Sequence, residues 1–172
     1  MNVSFRQVER DEEVETLAHM AYHIWNEYWP AIIGQEQTDY MIEKFQSLNA
    51  FRVDIADNGY EYFFIMDNTE GAPRIVGYTG GHAETETNRF FISKIYLLKE
   101  HRGHGFCSAV IGFYEQLCRD RGLNALYLTV NKHNEMGVRA YKAKGFETID
   151  AVETDIGEGF IMDDFVMEKK LN

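Results

Sequence analysis

The sequence predicts a mixed α/β fold (α+β in detail) with one largely antiparallel sheet, in a single domain over residues 1–172. Three observations predict it. Two pairs of apolar-alternating segments are joined by short turns, DNTEGAP and DIGEG, and so read as hairpins. Residues 11–28 repeat apolar side chains at helical spacing. Residues 89–145 run strand, helix, strand, helix, which puts an α/β unit at the centre of the sheet.

Each element follows from its local pattern. VSFRQV (3–8) alternates and is a first strand. Asp11 is placed to cap a helix whose Val14, Leu17, Ala18, Ala21, Ile24, Trp25 and Tyr28 share a face, with Pro30 near its end. A second helix covers 36–47, with Tyr40, Met41, Phe45 and Leu48 on one side. In NAFRVDIADNG (49–59), Phe51, Val53 and Ile55 alternate like a strand. Asn49 as cap and Gly59 as terminator frame a short helix instead, and that reading is preferred. Strands follow at 61–66, 75–82 and 89–98. From Gly105, the set Phe106, Ala109, Val110, Phe113 and Leu117 marks an amphipathic helix ending at Gly122. Leu126, Leu128 and Val130 alternate as a strand. Asn134 caps a helix running to Lys144 and stopped by Gly145, and strands at 146–154 and 160–168 finish the chain. No internal repeat, linker or low-complexity segment interrupts this order.

Composition bounds the function classes. At 172 residues and 45% hydrophobic, the chain can bury a real core and is no disordered tail. MNVSFRQVER has no apolar run of signal-peptide length, and no stretch approaches the roughly 20 apolar residues of a membrane span, so the expected location is cytoplasmic. Cys107 and Cys118 fall on one helix about 16 Å apart. That is too far to pair, and two cysteines at that spacing suggest no metal site. The net charge of −11 is uneven: 5 Lys/Arg against 16 Asp/Glu in 1–88, 10 against 4 in 89–145, and 2 against 8 in 146–172. A basic middle in an acidic chain suggests an anionic ligand held centrally and a neutral or cationic one elsewhere. Solvated surface charge explains the acidic parts equally well. A nucleic-acid partner, which needs a basic face over much of the domain, is not expected.

Two segments carry chemistry. In HRGHGF a strand runs through a glycine turn straight into a helix N-terminus, whose unpaired N–H groups and dipole attract an oxyanion. Gly103 and Gly105 allow close backbone approach, Arg102 adds a forked cation, and His104 and Lys99 stand nearby in sequence. The spacing fits neither a Walker loop nor G-x-G-x-x-G, and an ordinary turn-to-helix junction reads the same alone. In NEMGVRAYKAKGF, Asn134 starts a helix and Tyr141 lies two turns on, on the same face.

In this order, joined by one helix and one strand, the two segments resemble the GCN5-related N-acetyltransferase (GNAT) superfamily. Its [QR]-x-x-G-x-[GA] signature is met by Arg102, Gly105 and, imperfectly, Cys107. Its N-x-x-A/S-x-x-x-Y-x-x-x-G-F pattern is met by Asn134, Tyr141, Gly145 and Phe146, with Gly137 at the small-residue position. The match covers about residues 90–146, and the front, IWNEYWP and DYMIEKFQS, is similar to bacterial members of unassigned substrate. The resemblance implies about seven strands, helices on both faces and a splayed central strand pair. It implies an acetyl-CoA site with the pyrophosphate on the backbone of Arg102, Gly103, His104, Gly105, Phe106, Cys107 and Ser108. The pantetheine arm would pair with Ile95, Tyr96 and Leu97 where that strand leaves 126–130, and Asn134 would hydrogen-bond the arm. Cys107 is expected to turn its sulfur away from the phosphates into the helix packing.

Acetyl transfer to an amine needs a neutral nucleophile, a stabilised oxyanion and a proton for the thiolate. Tyr141, with an ordinary pKa of about 10, suits the last task, and N–H groups near 95–97 the second. Where many family members carry a carboxylate on the fourth strand, this chain has Ser93 and Lys94. Glu84 is the candidate base and a water relay the alternative. Asp163 and Asp164 bind a cationic substrate or simply solvate a strand end; Glu27 attracts an amine. Trp25, Tyr28, Trp29 and Tyr40 wall an acceptor pocket or pack the core. His19 and His23 have metal spacing but no third ligand, so no metal is expected, and neither cysteine has a base for covalent transfer. The expected function is direct acetyl transfer from acetyl-CoA to a small primary amine, polyamine or amino-acid-like. A protein or peptide acceptor and a non-catalytic acetyl-CoA-binding module are the alternatives, and a homodimer is a family-level expectation.

Overall fold

The computed structural model describes residues 1–171. In chain order the elements are β1 (Val3–Gln7), α1 (Asp11–Tyr28), α2 (Pro30–Ile33), α3 (Gln35–Phe45), α4 (Leu48–Asp57), β2 (Glu61–Asp67), β3 (Arg74–Glu84) and β4 (Arg89–Leu97). A 3₁₀ turn (Lys99–His101) then leads to α5 (Phe106–Arg121), β5 (Ala125–Asn131), α6 (Glu135–Ala143), β6 (Glu147–Gly157) and β7 (Phe160–Lys170). The strand order is β1-β2-β3-β4-β5-β7-β6. The pairs β1–β2, β2–β3, β5–β7 and β6–β7 are antiparallel and β4–β5 is parallel, as the mixed, largely antiparallel expectation requires. The chain divides into two compact units, Met1–His82 with Lys94–Val110, and Ala83–Ser93 with Ile111 onward.

In the first unit the core gathers the apolar stripe of α1 (Leu17, Ala21, Ile24), Phe51 of α4, and Tyr62, Phe64 and Tyr78 of β2 and β3. The Phe51 ring meets Tyr62 edge-on at 5.0 Å, a favoured aromatic geometry. Two expected caps move. Arg10, not Asp11, stands at the N-cap of α1. Glu13 accepts the N–H groups of Glu9 and Arg10 at 3.1 Å each, so this acidic third residue does the capping, and those bonds pull its carboxyl down to about 2. Asp11 pairs with Arg52 instead, at 2.8 and 2.7 Å. For α4 the cap is Ser47, whose hydroxyl accepts from the Ala50 N–H, rather than Asn49. Segment 49–59 is helical as preferred: Phe51 is buried while Val53 points outward. Pro30 stands just past the end of α1, as expected, and opens the short α2, where its fixed φ and missing N–H cost least.

In the second unit β5 carries Leu126, Leu128 and Val130 inward, and β7 answers with Met167. Phe90 of β4 packs on Tyr114 of α5 at 4.9 Å, and Lys169 of β7 pairs with Glu115 of α5. Helix α5 therefore covers the sheet face that bears Phe165, Met167 and Lys169. The β4–β5 ladder runs from Arg89↔Ala125 to Phe91↔Tyr127. Both strands continue well past its last pair, β4 to Leu97 and β5 to Asn131.

Candidate functional site

In the first unit, β4 leads through the 3₁₀ turn into Arg102–Gly105 and then α5. Gly103 and Gly105 have φ of +76° and +89°, values that favour glycine, and together they swing the chain into the helix axis. Gly103, His104, Gly105 and Ser108 are exposed, and a Cβ on Gly103 would meet open space. Phe106 is buried and edge-on to His101 at 5.8 Å, so it pins the start of α5, with Cys107 half-buried beside it. The loop offers exposed backbone at a helix N-terminus, the environment a pyrophosphate needs.

Arg102 supports this loop from within. Its Nε donates to the Leu97 carbonyl at 3.0 Å, and its two terminal nitrogens grip Glu27 at 2.9 and 3.2 Å. The guanidinium lies 4.9 Å over the Tyr28 ring. Glu27 is thereby paired with Arg102, a partner 75 residues away in the chain. Trp25 is core (2% exposed), its ring tilted against Trp29 at 5.3 Å and edge-on to Tyr96 at 5.5 Å. Tyr28 and Trp29 are half-buried and meet edge-on at 5.2 Å. Tyr40 lies along Lys44.

Ile95, Tyr96 and Leu97 are half-buried at the end of β4. Gly77 of β3 lies so close that a Cβ there would stand 2.2 Å from the Tyr96 carbonyl oxygen. The residue before them is unusual in structure. Lys94 is 6% exposed, and its Nζ donates to the Phe45 carbonyl (2.9 Å) and the Tyr62 hydroxyl (2.6 Å), with Asp54 at 3.4 Å. The Tyr62 hydroxyl donates to the same Asp54 oxygen at 2.6 Å. Burial pushes the Lys94 ammonium down to about 8, against the pull of Asp54. Alternation alone gave no signal of this.

His19 lines an open groove with Glu15, Tyr22, Asp39 and Glu43, and among the described residues no three His, Cys, Asp or Glu side chains are grouped to hold a metal. No described helix is long and apolar enough to cross a membrane.

In the second unit, Asn134 caps α6, its Oδ1 accepting from the Gly137 N–H at 3.1 Å. A Cβ on Gly137 would come within 2.7 Å of the Asn134 amide, so this cap rotamer requires glycine there. Tyr141 is half-buried and edge-on to Phe146 at 5.8 Å, just where α6 ends. Glu84 accepts from Tyr127 and from Thr87 (2.9 Å), with Arg89 at 3.6 Å. Arg89 reaches on to Glu168 at 3.1 Å and lies 4.2 Å over the Tyr127 ring, so the cluster ties β3, β4, β5 and β7 together. Asp163 is paired with Lys132. Its neighbour Asp164 is buried, and burial, reinforced by Asp163 and opposed by Lys132, raises its carboxyl to about 6. Cys118 is buried and pushed up to about 11, so it stays a thiol.

The fourth strand of this α/β chain feeds a glycine-hinged helix N-terminus with exposed backbone. The pattern of the acetyltransferase (GNAT) family matches residues 18–146, and the chain belongs to that family. The uncharacterized N-acetyltransferase YycN of Bacillus subtilis (strain 168) is 32% identical over 80 residues, 45% of this chain and 51% of the relative, so the chain spans about half of that protein's length. The fold is shared with PaiA N-acetyltransferase of Thermoplasma acidophilum in complex with coenzyme A (TM-score 0.77, 20% identity, 99% of each chain). It is also shared with spermidine/spermine N-acetyltransferase SpeG of Vibrio cholerae in complex with manganese ions (TM-score 0.65, 18% identity, 98% of this chain and 92% of that one).

Proposed function

We propose that the protein is an acetyl-CoA-dependent N-acetyltransferase, a single catalytic domain that acetylates a small primary amine, polyamine or amino-acid-like, by direct attack. The observation that carries this reading is the Arg102–Gly105 loop, with two left-handed glycines and exposed backbone opening onto α5, in a chain of the GNAT family. Those features fit a pyrophosphate: Gly103 faces open space, the flexible tip of Met1 is the side chain nearest to where a Gly105 Cβ would stand, and the helix start supplies donors. Acetyl-CoA supplies the thioester carbonyl that the amine attacks.

On this reading the N–H groups of Gly103 through Ser108 hold the diphosphate, and Arg102 fixes the loop through Leu97 and Glu27. Ile95, Tyr96 and Leu97, beyond the last β4–β5 pair, run beside the pantetheine arm. Asn134 orients that arm from the head of α6, and the Tyr141 hydroxyl gives the departing thiolate its proton. With Glu84 committed to Tyr127 and Thr87, water takes the proton of the amine. The spermidine acetyltransferases of the same fold support a small amine as acceptor.

Thiol release from acetyl-CoA over a panel of amines tests the reading, with 1,4-diaminobutane, spermidine, butylamine, amino-acid amides and a lysine peptide as acceptors. Release with small amines is expected. Tight coenzyme A binding without release for any acceptor overturns the enzyme, and absence of coenzyme A binding overturns the site as well.

A further inference from the structure

Trp29 stands at the C-terminal end of α1 with its backbone fully engaged. Its N–H donates to the Trp25 carbonyl at 3.1 Å, and its carbonyl accepts from Ile32 and Ile33 at 2.9 and 3.0 Å. The indole ring lies against Trp25 at 5.3 Å and meets Tyr28 edge-on at 5.2 Å. Its nitrogen is buried and, among the described residues, has no hydrogen-bond partner. Trp25 Nε1 is buried without a partner too, but the Tyr78 hydroxyl lies beside it.

This end of α1 meets the Arg102–Gly105 loop. Glu27 holds both terminal nitrogens of Arg102, and that guanidinium lies 4.9 Å over the Tyr28 ring. Trp25 is edge-on to Tyr96 at 5.5 Å, in the strand segment that the proposed function sets beside the pantetheine arm. Trp29 is therefore one ring away from the loop through Tyr28, and one ring away from that strand through Trp25.

An N–H buried without an acceptor is rare in native proteins, and a ligand is one of the groups that completes it. Indole nitrogen only donates, so the group it takes is an oxygen and not an ammonium. The front of the chain, with 5 Lys/Arg against 16 Asp/Glu over 1–88, repels a free carboxylate, so a neutral carbonyl suits the place best. A carbonyl next to the amine has a second consequence. Strand β4 (RFFISKIYL) contains no Asp or Glu to serve as a base. At pH 7.5 an alkylamine of pKa about 10 is almost wholly charged, whereas an α-amino group ionising near 8 is neutral in about a quarter of its molecules. Water suffices to take its proton. We propose that Trp29 determines acceptor specificity, its indole N–H donating to a carbonyl oxygen, and that the acceptor is a small α-amino amide or ester rather than a plain alkylamine. The proposal rests on the acetyltransferase reading above.

The test compares L-leucinamide, L-leucine and 3-methylbutylamine, which share one side chain and carry a neutral carbonyl, a carboxylate or neither. In the wild type kcat/KM is highest for L-leucinamide. In Trp29→Phe the preference for L-leucinamide over 3-methylbutylamine shrinks about 10-fold, as loss of one hydrogen bond to a neutral group implies. A ring with only a structural role lowers both amines alike and leaves that ratio unchanged, which overturns the proposal, as does a wild type that prefers L-leucine or 3-methylbutylamine. A second readout uses the wild type alone. The chain has two tryptophans, so its ¹⁵N spectrum carries two indole N–H signals, assigned from Trp25→Phe or Trp29→Phe, either of which suffices. With coenzyme A present, L-leucinamide moves the Trp29 signal downfield and 3-methylbutylamine does not. No movement, or equal movement with both, overturns the proposal. If the wild type releases thiol with no amine, the acetyltransferase reading fails by itself, and the indole signal still decides whether Trp29 takes the carbonyl.

Discussion

Raising the pH from 7 to 9.5 stabilises this protein through Lys94. Its ammonium is buried against Phe45, Asp54 and Tyr62 and titrates near 8, against 10.5 for a free lysine. Below pH 8 both the folded and the unfolded chain carry the proton, and the folded state bears the desolvation in full. Between 8 and 10.5 the folded state sheds the proton while the unfolded chain keeps it, so stability climbs with pH. The full shift corresponds to about 3 kcal/mol, of which about 2 kcal/mol is realised by pH 9.5. At this chain length that is roughly 4–8 °C in Tm. Urea denaturation at pH 7, 8, 9 and 9.5 reads it, with Lys94→Met as a reference of similar shape that lacks the titration. The tyrosines Tyr62 and Tyr78, whose hydroxyls are raised by burial, oppose the trend as free tyrosines ionise near 10, which sets the upper limit of the window. The wild-type minus variant difference removes the contribution of Tyr78, and Tyr62, which accepts from Lys94, is read from a matching Tyr62→Phe pair. If that difference stays constant from pH 7 to 9.5, Lys94 is not held as a desolvated ammonium and the reasoning fails.

Three substitutions probe the scaffold and site. Gly137→Ala puts a methyl 2.7 Å from the Asn134 amide, so it displaces the cap at a cost of about 1 kcal/mol and weakens coenzyme A binding; unchanged values for both would refute the cap. Gly77→Ala drives a Cβ into the Tyr96 carbonyl, which costs about 3 kcal/mol in urea denaturation or abolishes soluble expression, and a variant of wild-type stability would contradict that contact. Glu84→Gln loosens the Tyr127–Thr87–Arg89 cluster and lowers stability by about 1–3 kcal/mol, while the pH profile of acetyl transfer keeps its shape. A lost limb of that profile with stability intact would restore Glu84 as the base.

Periodicity read from the chain locates the strands and helices α1, α3 and α5, because burial on one face is written at period 2 or 3.6, whereas α4, whose apolar residues alternate like a strand, and α6 are read from their end residues. Helix ends were less legible. Asp11 and Asn49 are good capping residues in isolation, yet Glu13 and Ser47 hold the orphan N–H groups, and which wins depends on where the helix starts by a residue or two. The glycine loop was legible, since positive φ at Gly103 and Gly105 leaves its mark as residue type. Long-range partners left none. Nothing local ties Glu27 to Arg102 or Glu84 to Tyr127, and nothing marks Lys94 as buried. Asp163 and Asp164 look alike in sequence; only the fold gives Asp163 to Lys132 and buries Asp164.

On the function proposed above, the loop before α5 holds acetyl-CoA and Tyr141 gives the departing thiolate its proton. Steady-state acetyl transfer and coenzyme A binding by Tyr141→Phe separate the two roles. The kcat falls about 10²-fold or more, as for loss of a general acid, with the coenzyme A Kd within about threefold of the wild type. An equal loss in kcat and in affinity, or no loss in kcat, would contradict it.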